Sequence, residues 1–396
     1  MLVISLVGVT PVSAAPPVAS ANPAVITTWN AVAASTIPPN PAAFLNYAFV
    51  HLAMYNAVVG ITGEYEQYQW SAPAPHNASP EAAAAAAAHR VLVANFPAAQ
   101  VNLDAQLAAS LALIPDGGPQ DKGVAYGIRA ADRIIQLRAN DGRNAAVVVP
   151  MADAAGEYGG TFAVPWLGGV TPLVLNSLQQ FDPGAPPAIG TDTYRRELEE
   201  VRTLGASDSE LRTEAQTLTA RYFADIPFGP MEAALRDLAT RRAMNISDSA
   251  RLFAGTNTAI ADALGTVWSD KLRTMWWRPI QAIREVFDDG DSLTVADPDW
   301  TPLIGTPPYP DWPSGLCAVI SALTSSLVEL TGGVDLNLTS PSQGLRYWNS
   351  KSVLDATAVE ARIWSGIHFR TADQVSITVG NNTANWTFDH YFAPTD

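Results

Sequence analysis

The 396-residue sequence holds a single cysteine, Cys317, so it can form neither an intrachain disulfide nor a zinc site built on cysteines. Lysine is nearly as scarce: Lys122, Lys271 and Lys351 stand alone among 23 basic residues, and the rest are arginines. Only 15% of the chain is charged, with 38 acids against 23 bases, a formal net charge of −15. Such a balance disfavours nucleic acid and anionic membrane surfaces as partners. No uninterrupted apolar run reaches the length of about 18 residues that a membrane-spanning helix needs, so none is expected. Strand signals are equally thin, with AAVVVPM at 145–151 the one strand-like run, and there is no internal repeat. The sequence sets no oligomeric state.

What is present is a hydrophobic fraction of 48%, enough for a sizeable core and unlike a disordered chain. The opening MLVISLVGVTPVSAAPP has a short apolar run and then Val12-Ser13-Ala14, small residues suited to signal cleavage, without a basic stretch before them. Residues 1–24 are therefore expected to be an export signal or a disordered tail. A secreted location, extracellular or periplasmic, follows from the first, with the cytoplasm as the alternative. Residues 25–396 are expected to form one all-α domain of two packed helical bundles. Helical patterns run over 41–60, 80–96, 121–142, 193–205, 209–223, 231–244, 246–279, 315–333 and 354–366. Ser79-Pro80-Glu81 supplies a cap, a first-turn proline and an acidic first turn. The Gly- and Pro-rich stretches 143–192 and 285–313 are too long for plain connectors and are expected to cover something.

Three segments carry groups with chemistry. Lys271 and Arg278 are seven residues apart, nearly two helical turns, and so would share a face with Leu264, Val267, Trp268 and Met275. Two like charges on an apolar stripe call for an anion between them; alone, they read more simply as side chains snorkelling at its edge or paired with carboxylates. Pro313-Ser314-Gly315 then opens a helix, with Pro313 suited to its first position, and a helix start is an anion site; alone, it is an ordinary cap. Arg362 and His368 lie six apart with Gly366 between them, and a break there would let both face one ligand; alone, the histidine reads as structural. Together the segments offer guanidinium forks, an ammonium, a hydroxyl, a helix N-terminus and an imidazole, a set suited to a tetrahedral oxyanion.

This order of motifs resembles the vanadium-dependent haloperoxidases and the phosphatidic acid phosphatase type 2 superfamily. Their pattern is Lys, six residues, Arg-Pro; then Pro-Ser-Gly-His; then Arg, five residues, His. Here it is Lys271 to Arg278-Pro279, Pro313-Ser314-Gly315 and Arg362 to His368. WNAVAAS, FVHLAMYNAV, EAAAAAAAHRVL and SARLFAGTNTAIADALGTVWSDK are similar to the soluble bacterial haloperoxidase-like branch, and the likeness spans about residues 25 to 393.

The resemblance implies a mainly helical fold and a vanadate cofactor, or phosphate in the same pocket. It implies His368 as catalytic residue, the axial ligand of vanadate or the nucleophile of a phosphatase. Lys271, Arg278, Ser314, Gly315 and Arg362 would bind the oxyanion. Hydrogen peroxide and a halide, or a small organic molecule, would be the substrates, with the vanadium keeping its oxidation state.

Two departures qualify it. Where the family places its acid–base histidine this chain has Leu316, and the aspartate expected four residues after His368 is Ala372, with Asp373 one later. The remaining histidines, His51, His76, His89 and His390, are distant in sequence, and Cys317 would point about 100° away from Leu316 on a helix. Three functions stay open: a haloperoxidase-type enzyme with altered proton supply, a non-catalytic oxyanion binder, and an acid phosphatase.

Overall fold

The computed structural model describes residues 21–285 and 287–395. Residues 1–20 of the expected export signal lie outside them. The described chain runs α1 (Ala24–Thr36), α2 (Ala43–Thr62), α3 (Pro80–Asn95), α4 (Gln100–Leu111), α5 (Gly118–Leu137), α6 (Asp192–Leu204), α7 (Glu214–Asp225), α8 (Gly229–Arg241) and α9 (Ile246–Thr274). It continues with α10 (Pro279–Ile283), α11 (Gly315–Thr331), β1 (Leu336–Ser340), β2 (Gly344–Trp348), α12 (Lys351–Trp364) and α13 (Arg370–His390). The fold is helical, as expected, apart from the antiparallel hairpin of β1 and β2, in which Leu336 faces Trp348 and Ser340 faces Gly344.

Helices α1 to α5 pack around α3 and α2, while α11 and α13 pack with α9 and α12 packs on α11, and α2 against α9 joins the two groups. Apolarity on every side of α2 follows from that position. It is long and apolar enough to cross a membrane, yet it lies almost wholly inside the core, where an all-round hydrophobic helix belongs. The alanine run of α3 begins as its sequence suggests: Ser79 Oγ accepts from the Ala82 N–H, and Pro80 fills the first position.

Several boundaries differ from the sequence expectation. The segment 145–151 forms no strand; Val148 and Met151 are 93% and 92% exposed, and no strand among the described residues pairs with it. The helix expected over 209–223 starts at Glu214, because Thr213 and Gln216 form a reciprocal capping box there. The helix expected to reach 279 stops at Thr274, where Met275 turns left-handed at φ 44°.

Both irregular stretches do cover the second helical group. The first is pinned to α9 by the Asp262 carboxylate, which accepts the N–H groups of Leu173, Val174 and Leu175. The second is tied to the turn after α9, where the Asp311 N–H donates to the Trp276 carbonyl.

Candidate active site

The turn after α9 decides where Arg278 points. Tyr158 N–H donates to the Met275 carbonyl, and Trp277 N–H to that of Gly156, so the first covering loop clamps it. Arg278 is therefore not on the Lys271 helix face, as its spacing suggested. It caps α10, where Pro279 takes the first helical position.

From that cap the fully buried Arg278 side chain reaches inward. Its Nε donates to the Tyr309 carbonyl at 2.8 Å and its Nη1 to the Ile367 carbonyl at 2.7 Å, while Nη2 has no hydrogen-bond partner among the described residues. Lys271 is fully buried one layer away, with Nζ on the carbonyls of Pro310 (2.5 Å) and Asp311 (2.9 Å). Burial and the neighbouring Arg278 push its pKa well below the ordinary lysine value.

Gly366, at φ +77°, breaks the chain between α12 and α13, as anticipated, and lets Arg362 and His368 converge. His368 is 1% exposed, and its Nε2 lies 3.0 Å from Arg278 Nη1. A guanidinium can only donate, so Nε2 presents its lone pair and the ring proton sits on Nδ1. That nitrogen is 2.7 Å from Asp311 Oδ1, a short approach that lies off the line of the N–H bond. Burial first, then Arg278, Lys271 and Arg362, hold the His368 pKa well below its ordinary value, so the ring is neutral.

Burial raises the Asp311 carboxyl to about 7 against the opposing pull of Arg278 and Lys271. Arg362 is 5% exposed, meets no carboxylate within ion-pair range among the described residues, and leaves Nε without a partner.

The corner before α11 is built differently from an ordinary cap. Pro313 lies outside the helix rather than at its first position. Ser314 is the N-cap, yet its buried Oγ makes no capping bond and no other geometrically sound hydrogen bond. The first intrahelical bond is Ala318 N–H to Ser314 carbonyl, which leaves the N–H groups of Gly315, Leu316 and Cys317 at the helix start.

Asp373, on the first turn of α13, does not reach His368. It is buried against Cys317, whose Sγ lies 3.4 Å from Oδ1, and close to Ser314. Burial holds its pKa well above the ordinary carboxylate range, which favours the protonated form. Cys317 points to Asp373 and away from the pocket, as its helical angle suggested.

The structure thus brings all six expected groups, Lys271, Arg278, Ser314, Gly315, Arg362 and His368, to one place. Of these, Gly315 and Arg362, together with Leu316, line an open cavity of about 320 Å³; the other four lie behind it. No histidine lines that cavity. His51 is buried against Asn30 and Phe253, His89 is paired with Asp104, and His390 is stacked on Trp386. The residue that sequence reasoning missed is Asp311, the carboxylate facing His368. Its signal was an acid two residues before the Pro-Ser-Gly corner.

These groups fit an oxyanion such as vanadate. Arg278 Nη2, Arg362 Nε and Ser314 Oγ are buried donors that lack a hydrogen-bond partner among the described residues. Buried donors of this kind are costly unless something accepts from them. An anionic acceptor suits them, because Lys271, Arg278 and Arg362 meet here and burial disfavours the charges of Lys271 and Arg278.

Comparison with known proteins bears on the fold. Residues 251–396 match the family described as the VCPO second helical-bundle domain. Among solved structures, the first bacterial vanadium-dependent iodoperoxidase superposes with a TM-score of 0.79 at 22% identity, covering 94% of this chain and 96% of that one. A holo-type bacterial vanadium-dependent chloroperoxidase gives 0.75 at 15% identity, covering 93% and 97%. An apo-type form gives 0.72 at 15%, covering 88% and 92%. No curated protein matches the sequence. The chain therefore has the fold of the bacterial vanadium haloperoxidases, and the resemblance carried by its motifs holds at the level of fold and C-terminal domain.

Proposed function

We propose that this protein is a peroxidase of the vanadium haloperoxidase type, acting with hydrogen peroxide on a halide or small organic substrate. One observation carries the reading: buried donors of Arg278, Arg362 and Ser314, without a geometrically sound hydrogen-bond partner among the described residues, gather around a neutral His368 at the start of α11. Vanadate, when bound, supplies a Lewis-acidic centre that activates peroxide without changing its own oxidation state.

The protein's share is charge and proton placement. The guanidinium forks of Arg278 and Arg362 neutralise the oxyanion's negative charge. His368 would hold it through Nε2, whose lone pair is freed when Arg278 Nη1 turns from the ring to the anion. Asp311 beside Nδ1 favours that tautomer and orients the ring. Lys271 acts less directly, fixing the covering loop by two carbonyls while adding positive charge.

Leu316 cannot donate a proton, and general acid–base help is typically worth roughly 10²–10⁴ in rate. Asp373, whose protonated form burial favours and which lies close to the Ser314 hydroxyl, is the group we assign to that task, with Ser314 as the relay.

Two other readings each rest on an observation. The Nε2 lone pair backed by Asp311 equally suits a nucleophile, which favours an acid phosphatase acting on aryl phosphates, whose leaving groups need little protonation. Leu316 itself favours a non-catalytic oxyanion binder.

The test loads the protein with orthovanadate, measures its binding by equilibrium dialysis and assays peroxide-dependent bromide oxidation beside His368→Ala. Oxidation that disappears in the variant supports the peroxidase. Binding without oxidation sinks it and leaves the binder or the phosphatase, which turnover of p-nitrophenyl phosphate at acidic pH tells apart. No binding at all removes the oxyanion reading.

A further inference from the structure

We infer that the cavity over Arg362 is a binding site for a small aromatic molecule, held directly above the oxyanion site by Phe44, Phe228, Trp268 and Tyr309. The inference rests on the oxyanion reading and names the class of organic substrate that the site takes.

The cavity, of about 320 Å³, falls within the range of small-molecule pockets and has the apolar lining such pockets share. Arg362 is its one charged lining residue among the described residues. Leu316 and Val319, one turn apart on α11, extend the apolar wall down to the start of that helix. A polar group at position 316 would wet this wall; leucine keeps it dry. The absence of a proton donor there and the shape of the cavity thus share one cause.

Five aromatic residues line the cavity, Phe223 among them, and four of their rings form two contacting pairs. Phe44 of α2 meets Phe228, with ring centres 5.4 Å apart, and Trp268 of α9 meets Tyr309 at 4.9 Å. Tyr309 also ties the cavity to the anion site, since its ring lies 4.9 Å from the Arg278 guanidinium and 5.1 Å from Lys271 Nζ. Flat rings with electron-rich faces favour an aromatic guest over an aliphatic one of equal size.

Phe228 carries the argument furthest. Its backbone sits at φ 65°, ψ −111°, a conformation that glycine adopts freely and a phenylalanine resists. Gly229 follows immediately, yet the chain places the strained residue where its ring lines the cavity. A ring held at a backbone position that opposes it is explained by what the ring contacts.

The test is a matched pair of anions, methylphosphonate and phenylphosphonate, titrated by calorimetry into the intact protein and into Phe228→Gly. The substitution relieves the backbone while removing a ring packed on Phe44, so a cooperative thermal transition is checked in the variant first. Phenylphosphonate is expected to bind on the order of 10- to 100-fold more tightly, the effect of burying one ring, and the variant to cut that ratio to below about threefold. A ratio near one in the unaltered protein overturns the inference while leaving the oxyanion site intact. Phenol, followed by tryptophan fluorescence, separates the two readings. Phenol binding lost in Phe228→Gly supports the aromatic site even if neither phosphonate binds, which would sink the oxyanion reading alone. Absence of phenol and phosphonate binding together overturns both.

Discussion

At the residue scale, the site is a balance between three cations and two carboxyls that titrate abnormally. Burial favours the protonated form of Asp373, and Asp311, raised to about 7, changes charge near physiological pH. Below 7 the Asp311 carboxyl is uncharged and the pocket is strongly cationic; above it a carboxylate stands beside Arg278, 3.7 Å from Nη1, and competes with any bound anion. Sulfate keeps one charge across this range, so it reports on the pocket alone. Its affinity is expected to fall by several-fold to tenfold as pH rises from 6 to 8, and Asp311→Asn should flatten the curve. A fall that persists in the variant would assign the titration elsewhere. This residue also marks the limit of reading the sequence. Lys271, Arg278, Ser314, Gly315, Arg362 and His368 were legible because ordered spacings joined them. Asp311 was not, because its role depends on a covering loop folding back over the turn after α9, and no local periodicity records that.

At the element scale, the site depends on how closely α13 approaches α11. Gly380 makes that approach possible: a Cβ there would sit 2.3 Å from the Ala318 carbonyl oxygen and 2.8 Å from the Ala322 nitrogen, both backbone atoms that cannot swing aside. Gly380→Ala is expected to push the helices apart, at a cost of about 1–3 kcal/mol or more. Ser314 and Asp373 would separate with them, so thermal unfolding should come several degrees earlier and phosphate affinity should drop as well. Unchanged melting would mean that the helices slide freely. The elements differed in how plainly the sequence announced them. Strong periodicity marked α5 and α6, and a clear cap marked α3, whereas α13, with its Asn381-Asn382-Thr383 and only scattered apolar positions, has no clean stripe. The β1–β2 hairpin is short, and only Leu336, Leu338 and Trp348 turn a buried apolar face inward, so its alternation was too brief to register. The run at 145–151 had strand composition but no partner, and composition without a ladder makes no strand.

At the scale of the whole molecule, the fold class was readable from helical periodicity and the scarcity of strand signals, and the covering role of the two long loops from their length. How the loops lie was not, since Asp262 and the turn after α9 fix them through contacts distant in sequence. The completed arrangement sets a cationic pocket inside a chain of net charge −15. An approaching anion meets two opposed fields. Far out, the net negative charge repels it; within the cavity, Arg362 and the buried cations attract it. Salt separates the two, because the Debye length falls from about 30 Å at 0.01 M to about 10 Å at 0.1 M, while interactions inside a buried pocket are screened much less. The association rate of an oxyanion is therefore expected to rise by a few-fold between those ionic strengths, the reverse of ordinary steering of an anion to a cationic site. Stopped-flow tryptophan fluorescence with vanadate measures it, provided the dissociation rate is followed in the same experiment. A rate that falls with salt would show that the pocket's field dominates beyond the cavity mouth. In that case the acidic surface has no part in admitting the ligand.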